Sequence, residues 1–258
     1  MGACELTHLP RVSIDLALAA VQHRAYEQAL AELGCEVVSM PANPELPDSV
    51  FVEDVAVVLD EIAVVTRPGA ASRRAEAAPL AEALVPYRRV TSIAAPGMLD
   101  GGDVLKIGRR IFVGTSARSN ESGIEQLRAV VWPYGYSVTE VPVQGCLHLK
   151  SAVTEVGPET ILVNPAWVDG RLFGAARVIE VDPAEPYAAN GLRVGASVIY
   201  PASFPATRAR LEAAGIAVYV IDVSELQKAE GAVTCCSVIF SAASLEEDED
   251  PRAEQETL

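Results

Sequence analysis

The chain has 258 residues, half of them hydrophobic, and a formal net charge of −15. This length and composition suffice for one large domain or two small ones with a substantial core. The acidic balance argues against a nucleic-acid or anionic-membrane surface, since both need clustered Lys and Arg, and it favours a cationic ligand.

The first predicted element is a helix over IDLALAAVQHRAYEQALAELG (residues 14–34). Apolar residues recur there at helical spacing, and Gly34 offers a C-terminal stop. The segment CEVVSM (35–40) predicts a strand, and AVVLDEIAVV (56–65) predicts a hairpin of two β-branched runs. A loop, TRPGAASRR, then leads into a predicted helix over AEAAPLAEAL (75–84).

This order of elements recurs along the chain. DVLKIGRRIFVG predicts a second hairpin turning at Gly108, and GLRVGASVIYPASFPATRARLEAAG repeats the theme near the end. The loop arginines Arg73, Arg118 and Arg208 are separated by 45 and 90 residues, and the skipped step falls on ILVNPAWVDG, a copy with a poor helix. Five units of this length, each mixing strands with one helix, would nearly fill the chain and indicate a repeat or propeller architecture. The alternative is a coincidental spacing of three arginines.

The last fifteen residues, SLEEDEDPRAEQETL, contain seven acids and one arginine. A block of like charge without apolar partners cannot fold by itself, so we expect a single folded domain over 1–244 and an acidic, disordered tail over 245–258. The five cysteines form an odd count without framework spacing, which favours a reduced, cytoplasmic protein. No apolar leader or membrane-spanning run is evident in the sequence.

Two adjacent cysteines, Cys235 and Cys236, lie in GAVTCCSVIF, where a loop leads into a strand-like run. Consecutive strand residues point to opposite faces, so we expect one thiol in the core and the other in a site. A cysteine nucleophile needs a base, and His148, between leucines in the strand-like GCLHLKSAV, is a candidate because a buried imidazole needs a partner. The alternatives are a cysteine that packs as a small hydrophobe and a core histidine with its hydrogen bonds satisfied.

Two groups of carboxylates complete this pattern. Asp100 and Asp103 flank two glycines in APGMLDGGDVL, either as ordinary turn residues or as acids that orient a histidine where the backbone approaches a ligand. Asp48, Glu53 and Asp54 lie beside the apolar strand in PDSVFVEDVAVV, where they need a cation unless they are solvated. No pattern of metal ligands accounts for them. Together they describe a Cys–His–Asp site for a positively charged substrate.

Six motifs in order (FVEDVAVV, TRPGAASRR, LDGGDVL, GTSARSN, LHLKS and TCCS) resemble the dimethylarginine dimethylaminohydrolases of the guanidine-modifying superfamily. The resemblance covers about residues 5–240. It implies a pentein fold, which is a five-bladed α/β propeller of ββαβ repeats, and this explains a period near 45. Family members usually have a strand ahead of the segment matching ELTHLP, so we expect the first blade to lack one strand.

The resemblance also implies roles for individual residues. Cys235 is expected to be the nucleophile, His148 the general acid and base, and Asp100 the acid that orients His148. The expected substrate contacts are Glu53 and Asp54 on the guanidinium, Asp48 and the Leu6 backbone near the α-amino group, Arg73 and Arg118 on the α-carboxylate, and the backbone near Ala229. A guanidinium fork suits a carboxylate in this way.

The implied reaction is hydrolysis of an Nω-methylated arginine to citrulline and an amine, without cofactor or metal. A homodimer is left open. The rival enzyme is an arginine or agmatine deiminase, but arginine deiminases usually carry an acid two residues after the histidine, where this chain has Lys150, and they add a helical domain. The rival from another class is a non-catalytic binding protein that retains the pocket.

Overall fold

Helices and short strands alternate along residues 1–241, the part of the chain that the computed structural model describes. The helices are α1 (Leu16–Glu32), α2 (Ala77–Leu84), α3 (Glu121–Val131), α4 (Leu149–Ala152), α5 (Pro205–Ala213) and α6 (Ser224–Gln227). None of these helices is long and apolar enough to cross a membrane. The predicted acidic tail at 245–258 lies outside the described residues.

The strands form four three-stranded sheets within this part of the chain. They are β1 (Ala56–Val58), β2 (Ile62–Val65), β3 (Arg89–Ser92), β4 (Val104–Ile107), β5 (Arg110–Thr115), β6 (Ser137–Pro142), β7 (Val153–Gly157), β8 (Thr160–Val163), β9 (Arg177–Glu180), β10 (Leu192–Val194), β11 (Ser197–Pro201) and β12 (Ala217–Ile221). Each sheet takes three consecutive strands, so the fold is α/β with small mixed sheets.

All four sheets share one plan. The first two strands pair antiparallel as a hairpin, and the third lies parallel to the second. Parallel neighbours need a crossover, which α2, α3 and α5 provide in three sheets and the 3₁₀ segment Gly170–Phe173 provides in the fourth. The order strand, strand, helical segment, strand therefore occurs four times.

Tight turns connect the hairpins, as the sequence predicts. Gly108 turns between β4 and β5 with φ +58°, and Gly195 turns between β10 and β11 with φ +59°. A side chain rarely adopts these left-handed angles, so glycine suits both turns. The predicted hairpin over 56–65 is also confirmed, with Ala56 paired to Val65.

The first helix is confirmed and closely bounded by its capping residues. Asp15 accepts the N–H groups of Ala17 and Leu18 at its start, and Gly34 follows its end with φ +94°. The strand predicted over 35–40 is wrong, because this segment has no ladder partner among residues 1–241. The composition of a segment does not by itself supply a neighbouring strand.

The equal spacing of the loop arginines is only partly structural. Arg73 lies in the 3₁₀ segment Ala71–Glu76 ahead of α2, and Arg118 lies in the loop ahead of α3. Arg208 instead lies inside α5, so it is not structurally equivalent to Arg73 and Arg118 despite the regular spacing in sequence. The poor helix expected after β8 is confirmed as a 3₁₀ turn.

Helix α1 joins the two ends of the described chain. Its residues Tyr26, Ala29 and Leu30 share a buried cluster with Ile221 and Val223, which end and follow β12. The Tyr26 hydroxyl also lies 2.5 Å from the Ser237 hydroxyl. These contacts bring the segment containing both adjacent cysteines to the same side of the molecule as the N-terminal residues.

Candidate active site

Residues from separate loops surround one cavity in the protein. Seven of the ten predicted site residues line it: Asp48, Asp54, Arg73, Arg118, His148, Ala229 and Cys235. Asp100 lies directly behind one of them, whereas Leu6 and Glu53 do not line this cavity. Glu5 and Glu230 also line the cavity, so the fold collects a thiol, an imidazole, four carboxylates and two guanidinium groups at one place.

Asp100 is fully buried and contacts the imidazole of His148. The distance from His148 Nε2 to Asp100 Oδ2 is 3.1 Å. The other oxygen of Asp100 accepts the backbone N–H of Gly69 at 2.8 Å, so the carboxylate is held from two sides. An acid in this position orients an imidazole and stabilises its protonated form.

The second glycine of LDGGDVL lies against the same groups. A Cβ at Gly102 would lie 2.6 Å from His148 Nδ1 and 2.6 Å from Asp54 Oδ1. The Gly102 N–H also donates to Asp54 Oδ1 at 3.0 Å. Of the two alternatives for these glycines, close backbone approach to a site is therefore the one observed.

His148 itself does not lie in a strand, contrary to the strand-like pattern around it. It is the extended residue that precedes α4, and the next N–H, of Leu149, donates to Asp103 Oδ1 at 3.0 Å. The side chain of Leu149 packs in the hydrophobic core. Asp103 also accepts the hydroxyls of Ser116 and Ser119, so this second acid of the motif anchors the loops around His148.

Opposing effects determine the protonation of His148. Burial alone lowers its pKa, but Asp54, the hydrogen bond to Asp100, and Asp103 outweigh burial and raise the pKa to about 9. His148 Nδ1 lies 3.7 Å from Asp54 Oδ1. The imidazole is therefore mainly protonated at neutral pH and can donate a proton.

Cys235 lies in a turn, so the predicted strand at this position is wrong. The turn closes through the Cys235 N–H on the Ala232 carbonyl at 3.3 Å, and the Ala232 N–H approaches Cys235 Sγ at 3.4 Å. Burial first, and then Glu53 and Asp54, raise the pKa of the Cys235 thiol. Cys236 is buried among core residues and does not line the cavity.

Asp54 and Arg73 form a buried ion pair at the cavity. Arg73 Nη1 donates to Asp54 Oδ2 at 2.5 Å, and its Nε and Nη2 donate to Glu76. Nη2 also donates to the Phe51 carbonyl at 2.9 Å. Most hydrogen-bond donors of Arg73 are therefore paired with groups of the protein itself. The family resemblance instead implied that Arg73 binds the α-carboxylate of the substrate.

Arg118 retains more free hydrogen-bonding capacity. Its Nη2 donates to the Thr7 hydroxyl at 2.9 Å, and its Nη1 lies 3.9 Å from Asp100 Oδ2. Among residues 1–241 its guanidinium has no closer carboxylate. Arg118 is thus better disposed than Arg73 to receive an anionic group.

The N-terminal segment lies at the edge of the cavity and is held by two carboxylates. Asp48 accepts the Glu5 N–H with both oxygens, at 3.1 and 3.2 Å. Glu230, which has φ +59°, accepts the N–H groups of residues 7–9. The side chain of Leu6 packs against the core cluster around α1, so any contact of Leu6 with a ligand would be through its backbone.

Glu53 faces away from the cavity. Lys150 Nζ donates to its Oε1 at 2.6 Å, and the Thr234 hydroxyl donates to its Oε2 at 2.7 Å. These three residues line a second cavity of about 250 Å³. Consecutive residues, Glu53 with Asp54 and Thr234 with Cys235, therefore face different cavities.

Three side chains have the spacing of metal ligands. One ligand atom each of Asp54, Asp100 and His148 lies within 4.8 Å of the others, and all three residues are buried. Two carboxylates and an imidazole suit a divalent cation. The Asp54 carboxylate, however, already accepts Arg73, and Asp100 accepts Gly69, so hydrogen bonds within the protein account for the cluster without a metal.

Sequence reasoning missed Asn190, Thr234 and Glu230. Asn190 precedes Gly191, and this pair predicts only a turn. Thr234 directly precedes the two cysteines, and only the cysteines were considered as candidate site residues in that segment. Glu230 has an ordinary acidic side chain, and only the folded structure shows that its carboxylate accepts three N–H groups.

Comparison with known proteins identifies the family. The family model described as "N,N dimethylarginine dimethylhydrolase, eukaryotic" matches residues 11–171. An N(G),N(G)-dimethylarginine dimethylaminohydrolase of Streptomyces coelicolor is 43% identical over 235 residues, which is 90% of each chain. The chain belongs to the dimethylarginine dimethylaminohydrolase family of enzymes.

Solved structures of this family share the fold. The enzyme of Pseudomonas aeruginosa, as a cysteine-to-serine mutant complexed with citrulline, superposes with a TM-score of 0.87 at 34% identity, covering 91% of this chain and 93% of that one. A dimethylarginine dimethylaminohydrolase histidine-to-glycine variant, an adduct with S-methyl-L-thiocitrulline, has a TM-score of 0.85 at 35% identity, with 88% and 91% covered.

Proposed function

We propose that this protein hydrolyses asymmetric dimethylarginine and monomethylarginine to citrulline and dimethylamine or methylamine through a covalent intermediate on Cys235. One observation carries the proposal: Cys235 and the Asp100–His148 pair meet at a cavity that also holds buried carboxylates. The similar enzymes bound to citrulline and to a thiocitrulline support the substrate class.

Substrate recognition uses charges at opposite ends of the ligand. Asp54 faces the guanidinium, and Asp48, whose pKa burial raises, faces the α-ammonium group. Arg118 binds the α-carboxylate with the donors that its internal contacts leave available. Phe51 and Leu147 give the cavity its apolar surface, which can accept methyl groups.

The bound cation activates the nucleophile. Burial and nearby carboxylates raise the pKa of the Cys235 thiol, so the free enzyme holds it protonated at neutral pH. A guanidinium placed beside the thiol adds a positive charge and favours the thiolate, whose proton passes to solvent because His148 is already protonated. The thiolate then adds to the guanidinium carbon, and this dependence on the substrate limits reaction with other electrophiles.

His148 transfers protons in both halves of the reaction. It first donates a proton to the methylated nitrogen as the bond from that nitrogen to the central carbon breaks, leaving an S-alkylthiouronium on Cys235. The neutral imidazole then accepts a proton from the water that adds to this carbon. The carbon–sulfur bond breaks as the hydroxyl proton of this adduct passes to sulfur, which releases citrulline and regenerates the Cys235 thiol.

Lys150 bears on the choice between methylated and unmethylated substrates. It stands where arginine deiminases usually carry an acid, and its ammonium group is paired with Glu53 at the second cavity. An additional acceptor for the unsubstituted nitrogen of arginine is thereby lost. Burial of two methyl groups contributes about 1.6 kcal/mol, which is roughly tenfold in kcat/KM.

The test compares four substrates at limiting concentration: asymmetric dimethylarginine, monomethylarginine, arginine and agmatine. The ureido product is measured over time, with Cys235→Ser as the control for catalysis by the nucleophile. We expect kcat/KM for both methylated substrates to exceed that for arginine by at least about tenfold. Equal turnover of arginine would move the protein to the deiminases, and tight binding without turnover would make it a binding protein.

The resemblance also motivates proposals about the whole molecule. The four observed repeats and α1, which packs beside β12, support a five-bladed propeller in which the first blade lacks one strand. We further propose that the chain has a single catalytic domain, that the enzyme acts in the cytoplasm without cofactor or metal, and that it can form a homodimer. Light scattering in solution tests the last point.

A further inference from the structure

Buried hydrogen bonds of Asn190 connect the turn of Cys235 to the segment of His148. Asn190 Oδ1 accepts the Thr234 N–H at 3.1 Å, and its Nδ2 donates to the Thr234 hydroxyl at 2.9 Å. The same Nδ2 donates to the Lys150 carbonyl at 3.0 Å. Thr234 directly precedes Cys235, and Lys150 follows His148 by two residues, so one side chain binds both segments.

The donors and acceptors in this network have a fixed order. The Thr234 hydroxyl gives its proton to Glu53 Oε2 and therefore accepts from Asn190. The Glu53 N–H in turn donates to the Cys235 carbonyl at 3.1 Å. Since Asn190 is 97% buried, losing one of its bonds would leave a partner unsatisfied.

The nucleophile depends on such side chains because it lies outside the sheets. A strand residue is held by ladder hydrogen bonds on its neighbours, whereas Cys235 lies in a turn closed by the Ala232 carbonyl. Asn190 holds the N-terminal side of this turn, and Tyr26, through Ser237, holds its C-terminal side.

We propose that Asn190 is a positioning residue for the reaction, which sets the placement of the Cys235 thiol relative to His148 through Thr234 and the Lys150 backbone. The proposal rests on the proposed function of Cys235 and His148. Displacing a reacting group by about 1 Å can cost about a hundredfold in rate. Asn190 does not line the substrate cavity, so its loss should change kcat and leave KM nearly as it is.

The first experiment compares Asn190→Ala with Asn164→Ala. Asn164 is a matched control, because it is about equally buried and its side chain binds the Pro186 carbonyl and the Ala166 N–H, in neither catalytic segment. Its backbone N–H donates to the Ala152 carbonyl at the end of α4, and the substitution leaves that bond in place. We expect Asn190→Ala to lower kcat about 10- to 100-fold with KM within about threefold, and Asn164→Ala to keep the wild-type kcat. Similar kcat values for both variants, at similar melting temperatures, would overturn the proposal.

A second measurement does not depend on the substrate. Iodoacetamide alkylation of Cys235, followed by peptide mass spectrometry, should become at least about threefold faster in Asn190→Ala, because the released turn exposes more of a half-buried thiol. Unchanged alkylation would count against the positioning role. A wild-type enzyme inactive on methylated arginines, with faster alkylation in Asn190→Ala, would refute the proposed function and leave the role of Asn190 standing.

Variants of Thr234 keep the test decisive if Asn190→Ala does not fold. Thr234→Val preserves the volume but removes the hydroxyl that Asn190 and Glu53 bind, and it should lower kcat by a similar factor. Thr234→Ser restores the hydroxyl and should recover most of that loss. Equal kcat for these two variants would overturn the proposal.

Discussion

Replacing His148 with glutamine should remove a defined part of the pH dependence of stability. In the folded protein burial lowers the pKa of His148, but Asp54, Asp100 and Asp103 outweigh burial and raise it from 6.5 to about 9. Each pH unit of this difference corresponds to about 1.4 kcal/mol, so protonation contributes about 3 kcal/mol to the free energy of unfolding. Because the folded pKa is the higher one, this contribution is fully present below pH 6.5 and is lost as the pH rises through 9.

Urea unfolding of the wild type and His148→Gln at pH 6.5, 7.5, 8.5 and 9.5, under reducing conditions, measures this contribution. The free-energy difference between the two proteins should shrink by about 3 kcal/mol across the series. His23→Gln, which removes a half-buried histidine of α1 that lies beside Glu27, controls for loss of a histidine. If the free energy of unfolding changed with pH in the same way for the wild type and His148→Gln, the claim that nearby carboxylates hold the proton on His148 would be refuted.

Three further outcomes are expected. Cys235→Ser should abolish turnover while Cys236→Ser retains most of it, because only Cys235 lines the cavity; equal losses in steady-state assays of folded variants would contradict this. Arg118→Ala should raise KM at least about tenfold with little change in kcat, since a carboxylate is held alike in ground and transition states, and a loss confined to kcat would argue otherwise. Arg73→Ala should lower the free energy of unfolding by about 3 to 5 kcal/mol, because Asp54 loses its buried partner. A urea midpoint equal to that of Arg118→Ala would show that the Arg73–Asp54 ion pair contributes little to stability.

Local patterns in the sequence were sufficient to predict most elements of the repeat. The hairpin over 56–65 and the turn at Gly108 follow from β-branched runs and turn residues that are adjacent in sequence. Helix α1 follows from its periodicity and its closing glycine. These features depend on near neighbours, so a single sequence contains the information that specifies them.

Side-chain direction and partner choice were not predictable in the same way. Glu53 and Asp54 are both acids beside one strand, yet only contacts with Lys150 and Arg73, distant in sequence, show that they face different cavities. The composition of the short run after Cys235 suits a strand, but the run forms no ladder with any strand among residues 1–241. Long-range partners decide such cases.

The two cavities restrict the length of the two segments that line both of them, residues 51–54 and 232–235. Glu53 and Thr234 face the second cavity, while their successors Asp54 and Cys235 face the first. A substitution alters the lining of one cavity, but insertion or deletion of a single residue ahead of either pair would move one member to the other cavity and the second member to a position that lines neither. In a library of variants, residues 51–54 and 232–235 should therefore tolerate no change in length, even where the second cavity accepts changes in side-chain volume.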